Sequence, residues 1–309
     1  MSLWRARLLV IGVTIFLVTS ACTGDGGGPT SAAQGTTPSS EPQPATVVAV
    51  DYEYTEAPAE LQGGTITMRF ENHGTVAHEL ALSGIGDTSL ERFADDLGGG
   101  NGLEGDPLPD YLDQIAVPTS FLTVHPGDAA EATFTLTEGR YAMWCSYTKV
   151  AKGDQPAAHY QLGMMRELIV SDGIAEPALP EADGTITAID YALDVDIEAG
   201  DRTINFINEG PDQFHVSTVE VYPEGVDAEE AEEAFRTQLQ PGPSPDGVPG
   251  AHGLGFSGIF SEGLGGTFEL YDGTFESGRT YLFECFVSDR QGGKSHTKAY
   301  SMYRIVTIE

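Results

Sequence analysis

Apolar and polar residues alternate along much of the chain with a period of two. Ile66, Met68 and Phe70 interleave with Thr65, Thr67 and Arg69. Phe134 and Leu136 alternate with threonines, and Val195 and Ile197 with Asp194, Asp196 and Glu198. This pattern predicts half-buried strands with one face toward a core. Gly, Pro and Asn punctuate the runs. Only two stretches favour helix, Thr88 to Leu97 and Val226 to Leu239, and acidic residues crowd the start of the second, where they suit the helix dipole. Glycine-rich loops are expected after both, over 98–106 and 241–258.

The pattern then repeats. Val50-Asp51-Tyr52 returns as Ile189-Asp190-Tyr191, 139 residues on. Phe70-Glu71-Asn72-His73-Gly74 returns as Phe206-Ile207-Asn208-Glu209-Gly210 after 136. Tyr141-Ala142-Met143-Trp144-Cys145 returns as Tyr281-Leu282-Phe283-Glu284-Cys285 after 140. Constant order at so long a period indicates duplicated domains, not a solenoid. A Pro/Gly/acidic stretch near 173–183 separates them, so the expected domains are 46–172 and 184–309. Many short strands in each predict an all-β protein of two tandem Greek-key β-sandwiches, each with a short helical insertion.

The N-terminus has a different pattern. Arg5 and Arg7 precede an apolar run from Leu8 to Ala21, about 21 Å of helix at 1.5 Å per residue, which is short for a bilayer span. Residues 1–21 therefore read as a signal peptide. Its end, Val18-Thr19-Ser20-Ala21-Cys22, resembles a bacterial lipobox, which implies lipidation at Cys22. Residues 22–45, mostly small and polar, read as a flexible linker from a membrane anchor. The expected location is outside the cytoplasm, on the cell membrane of a prokaryote.

The 309-residue chain carries 15 Lys+Arg against 47 Asp+Glu, a net charge of −32, or about −34 without Arg5 and Arg7. Nucleic acid and anionic lipid head groups both call for a basic surface, so neither is an expected ligand. The lipid anchor is the only membrane contact expected.

Chemistry concentrates in the repeat. The first half carries His78, Cys145, His159 and Met164 in that order, and the second carries His215, Cys285, His296 and Met302. His78 to His159 spans 81 residues, and so does His215 to His296. An Asn-x-Gly turn precedes the first histidine of each half, and a Gly-x-Tyr or Gly-x-x-Tyr strand precedes each cysteine. Together with the His-x4-Met closure of the first half, these elements resemble the cupredoxin family of blue-copper proteins, over most of each half. The resemblance implies type 1-like copper, one ion per domain, held by the eight residues named, with Met165 an alternative axial sulfur. Two imidazoles and a thiolate suit both copper oxidation states, with a weak axial thioether.

Two departures stand out. Thirteen residues separate Cys145 from His159 and ten separate Cys285 from His296, where familiar members of that family have only a few. The second half also has His-x5-Met and no glycine before Met302. Multicopper oxidases need His-x-His pairs and a His-Cys-His element. None of the 7 histidines lies two residues from another, and the expectation is of a protein that is not an enzyme. His73, His125 and His252 read as exposed loop residues, and Trp144 as a packing residue. Cys145 and Cys285 hold equivalent interior positions and are not expected to pair. The expected function is single-electron transfer with a redox protein partner. Copper handling and a metal-free interaction module are the alternatives.

Overall fold

A computed structural model of the chain describes residues 41–98, 107–112, 114–148, 157–173, 178–239 and 251–309. The leader, Cys22 and most of the tether lie outside the described residues. Among those described, no helix is long and apolar enough to cross a membrane.

The protein is mostly β. The first half runs β1 (Gln43–Val50), β2 (Glu53–Glu56), β3 (Glu60–Gln62), β4 (Gly64–Asn72), β5 (Ala81–Gly84), α1 (Leu90–Gly98), β6 (Ile115–Pro118), β7 (Ala129–Leu136), β8 (Gly139–Trp144) and β9 (Met165–Ser171). The second runs β10 (Gly184–Ile189), β11 (Ala192–Asp196), β12 (Thr203–Asn208), β13 (Thr218–Val221), α2 (Ala228–Gln238), β14 (His252–Phe256), β15 (Gly258–Phe260), β16 (Gly265–Glu269), β17 (Thr280–Glu284), α3 (His296–Tyr300) and β18 (Tyr303–Thr307).

The period-two signal holds over most of β4, although Thr65, on the predicted polar face, is buried too. Ile66, Met68 and Phe70 are fully buried, while Arg69 is exposed. Phe70 and Phe134 each meet Phe121 edge to face, with ring centres 5.9 and 6.2 Å apart. The sheet facing it, β15-β6-β5-β8-β9-β3, presents Leu82, Tyr141, Met143 and Leu168 to the same core. Both predicted helices form. Asp227 caps α2 by accepting from Glu230 N at 2.9 Å, a bond worth about 1 kcal/mol. Ala231 and Phe235 then bury one face of α2 on Tyr222 and Leu282.

Two local expectations need correction. The first strand begins at Gln43, inside the segment read as tether. Residues 43–49 pair in parallel with β4, and Gln43 Oε1 accepts from Gln62 N, so a polar, small-residue segment still finds a ladder partner. Residues 252–256, read as loop, form β14 against β13. Gly255 helps the strand lie close: a Cβ there would be 3.2 Å from both Phe268 and Leu270. His252 is therefore exposed on a strand, while His73 and His125 are exposed outside strands.

The two halves share sheets. β7 and β16 pair antiparallel through Phe134↔Gly266 and Thr133↔Thr267. This joins the order β11-β10-β12-β16-β7-β4-β1-β2 into one eight-stranded sheet. β15 pairs with β6 on the other layer. Gly258 allows this second pairing, since a Cβ there would run into Val117 O of β6. Ser261 Oγ accepts from Ile115 N, and Thr135 Oγ1 from Gly265 N, so the junction leaves these buried donors satisfied. The connector lies against both halves: Thr65 donates to Ala178 O and Asn205 to Pro180 O, each at 2.7 Å.

Candidate metal centres

Each centre starts from an asparagine at the end of a strand. Asn72 Nδ2 donates to Val76 O and Val124 O, both at 2.8 Å, and its Oδ1 accepts from Gly74 N. Asn208 repeats this with Gln213 O, Phe260 O and Gly210 N. One side chain thus ties the turn before the first histidine to the strand beside it. The histidine then makes an isolated two-residue bridge, His78↔Val124 or His215↔Phe260. The glycine of each Asn-x-Gly lies under the ring. A Cβ at Gly74 would lie 3.0 Å from His78 Nε2, and one at Gly210 3.1 Å from His215 Nε2.

Cys145 and Cys285 follow the last residues of β8 and β17. Their amides donate to Met164 O at 3.3 Å and Met302 O at 3.1 Å. The long inserts leave and return at one point: His159 N donates to Tyr147 O, and His296 N to Val287 O, each carbonyl two residues past the cysteine. In the second half an additional Ser288↔Ser295 bridge closes the loop. Insert length is thereby decoupled from ligand position.

The extra residue of His-x5-Met is also absorbed. Gly163 (φ 104°) ends the turn before Met164, and Ser301 (φ 59°) takes the same left-handed role before Met302. Met164 N donates to His159 O, and Met302 N to His296 O.

The result is two matching triads, His78–Cys145–His159 and His215–Cys285–His296. Within each, all ligand atoms lie within 4.8 Å of one another, and every member is fully buried. Nδ1 to Nδ1 is 3.1 Å in both. Cys145 Sγ lies 3.5 Å from His159 Nδ1. Cys285 Sγ lies 3.4 Å from His296 Nδ1 and 3.6 Å from His215 Nδ1. Met164 and Met302 are fully buried beside the triads in the chain. Cys145 and Cys285 are both free thiols.

Burial dominates the electrostatics. It pushes His78 down to about 4 and His215 down to about 3, with the partner histidine adding to each shift. His296 is lowered for the same first reason. Both thiols are pushed up to about 12 by burial. Backbone amides oppose that: those of Glu79 and Tyr147 reach Cys145, and those of Val216 and Val287 reach Cys285. Without metal His78, His215, His296 and both thiols are therefore neutral at pH 7.

This donor set fits a soft or borderline cation. Metal bonds of about 2.0 Å to nitrogen and 2.3 Å to sulfur, near tetrahedral angles, separate two nitrogens by about 3.3 Å and nitrogen from sulfur by about 3.5 Å. The observed edges are close to both. The two Nδ1 atoms and the thiol offer an ion three donors in a dry pocket, while His78 Nε2 and His215 Nε2, on the far side of each ring, are buried with no hydrogen-bond partner.

The fold is cupredoxin-like. Solved structures similar to this chain include the reduced auracyanin of Roseiflexus castenholzii (21% identity, 44% of this chain and 99% of that one, TM-score 0.27). Auracyanin A of Chloroflexus aurantiacus, a blue copper protein, aligns at 23% identity over 42% of this chain and all of its own, with TM-score 0.27. A multicopper oxidase aligns with 86% of this chain and 88% of its own at 14% identity and TM-score 0.24. No family model matches the chain, and no curated protein does. With an oxidase among the similar structures, the expectation that the protein is not an enzyme is withdrawn. That expectation rested on missing His-x-His pairs, and such spacing speaks to one kind of copper cluster only, not to catalysis in general.

Several residues around the triads escaped the sequence reading. Tyr52 covers His159 with ring centres 4.9 Å apart, and Tyr191 covers His296 at 5.2 Å. Both tyrosines belong to the repeated Asp-Tyr pair, which signalled duplication but not chemistry. Asp289 and Tyr300 have no repeat signal at all. Trp144 packs as expected, between Phe93 and Tyr160, and donates to Ser83 Oγ.

Proposed function

We propose that the protein is a secreted, lipid-anchored copper protein that passes single electrons outside the cytoplasm. His78, Cys145 and His159 would hold one ion and His215, Cys285 and His296 a second, with Met164 and Met302 as the thioether donors of each site. The observation that carries this reading is the pair of buried His–Cys–His triads with the same Nδ1–Nδ1 separation. Copper in such a site would supply a one-electron couple.

The chain's own residues supply the rest. The asparagine hubs and the His-to-carbonyl closures fix the imidazoles before any metal arrives, so a change of oxidation state asks for little rearrangement. Two amides on each sulfur favour the thiolate, which forms when the thiol releases its proton. Full burial keeps water off the ligands, and it favours a resident ion over one loaded and unloaded repeatedly. The net charge of −32 suits a redox partner with a basic docking face. Arg5, Arg7, the apolar run to Ala21 and the small residues before Cys22 support export and lipidation.

The test uses the full chain in detergent, titrated with Cu(II) and followed by visible absorption and electron paramagnetic resonance. The expected result is an intense thiolate-to-copper band, diminished by Cys145→Ser and by Cys285→Ser and abolished in the double variant. No band and no bound metal in the folded protein would reject the proposal. For the anchor, Cys22→Ser should release the protein from membranes.

A further inference from the structure

The two histidines of the second triad are not held alike. His215 Nε2 is buried with no hydrogen-bond partner. His296 Nε2 lies 3.1 Å from Asp289 Oδ1. Asp289 is itself gripped from outside: Tyr191 OH donates to Oδ1 at 2.8 Å and Tyr300 OH to Oδ2 at 2.6 Å. The two phenol rings stack with centres 3.8 Å apart, and Tyr191 stands edge-on to His296. Three donors from two chain segments, the turn after β10 and α3, thus converge on one carboxylate. Burial, followed by the hydrogen bond to Asp289, holds the Tyr191 phenol proton well above its usual range. Tyr300 is raised chiefly by its bond to Asp289. Both phenols therefore act as donors.

A carboxylate can only accept, so the proton of neutral His296 must sit on Nε2. Its Nδ1 lone pair is then left bare, facing His215 Nδ1 and Cys285 Sγ. We infer that Asp289, clamped by Tyr191 and Tyr300, is a positioning residue that fixes the tautomer and ring orientation of His296 and so readies its Nδ1 for a metal ion. The clamp also sets an anion against one ligand of the second site, which favours the more highly charged state of a bound ion. The metal-binding half of this inference rests on the copper reading above; the tautomer half does not.

The experiment has two arms on the full chain. Nitrogen NMR of the metal-free protein should show His296 protonated at Nε2 in the wild type. Asp289→Ala should produce a mixed or reversed tautomer, and Asp289→Asn, whose amide oxygen still accepts, should restore the wild-type pattern. In the second arm, Cys145→Ser leaves the second site alone for copper titration. There Asp289→Ala should weaken binding 10- to 100-fold, the usual consequence of removing such a partner. Asp289→Asn should recover position but not charge. Its Cu(II)/Cu(I) ratio at fixed applied potential should fall about tenfold, equivalent to about 59 mV. An unchanged tautomer in Asp289→Ala overturns the inference. If the wild-type second site binds no copper, the copper reading fails while the NMR arm still decides the role of Asp289.

Discussion

The Nδ1 atom of His215 lies 3.1 Å from that of His296, although they are 81 positions apart in the chain, and His78 and His159 repeat both numbers. Two neutral nitrogens so close, with a thiol beside them, form a site whose protonation state is set by burial. The pH behaviour of the metal-free protein follows.

His78 and His215 bind protons more weakly when folded, about 4 and about 3 against an ordinary 6.5. The unfolded chain therefore holds more protons as pH falls below 6.5, and stability drops progressively toward pH 3. Cys145 and Cys285 behave in the opposite sense. Their folded values near 12, against an ordinary 9.0, make the folded state hold more protons, so stability falls as pH rises from 9 toward 12. Urea unfolding of metal-free protein should show a plateau between about pH 6.5 and 9. The acid limb should flatten in a His78→Gln, His215→Gln variant.

Metal capture at neutral pH should release about one proton per site, from the thiol, because burial already keeps His78, His215 and His296 neutral. Calorimetry in buffers of different ionisation enthalpy measures this directly. A release near two for the whole protein is expected, falling to one in Cys285→Ser. A release of three or four would mean that the histidines start protonated.

Gly74→Ala and Gly210→Ala should both weaken metal binding without unfolding the protein. The first should be worse, since its Cβ would sit 2.7 Å from Asp51 Oδ1 and 2.9 Å from Asp51 N, whereas that of Gly210 meets nothing closer than 3.0 Å. Overpacking of this kind costs about 1–3 kcal/mol. Denaturant midpoints together with copper titrations check the order.

Gly266→Val tests the junction. Its side chain would displace the fully buried Phe260 ring, with an expected loss of about 3 kcal/mol or more. Because β7 and β16 are neighbours in one sheet, both halves should lose stability together. Tryptophan fluorescence, which reports Trp144 in the first half, should shift its midpoint although the substitution lies in the second.

What the sequence revealed, and what it hid, divides along physical lines. The triad residues were legible because His and Cys are few in this chain and duplication wrote the same interval twice. The departures in insert length and in His-x5-Met concealed nothing structural. The inserts close on the carbonyls of Tyr147 and Val287, and Ser301 takes the left-handed conformation for which glycine was expected. The Asp289 clamp was hidden, since a carboxylate in a polar loop reads as a solvated one until folding brings Tyr191 and Tyr300 to it. The sheet joining the halves was hidden too. Strand alternation says which face is buried, but not which neighbour lies along the edge.

The shared sheet also bears on how the chain is made. Phe134 pairs with Gly266, about 130 residues further along. At 5–20 residues per second, synthesis of that interval takes roughly 7–26 s. Throughout it, the first half can complete its own core while the outer edge of β7 keeps unpaired amides and carbonyls beside Phe134. Such an edge is a template for any passing strand, including β7 of another copy. The second half therefore acts on the first as a built-in cap, and truncated chains ending near residue 172 should be the ones that self-associate.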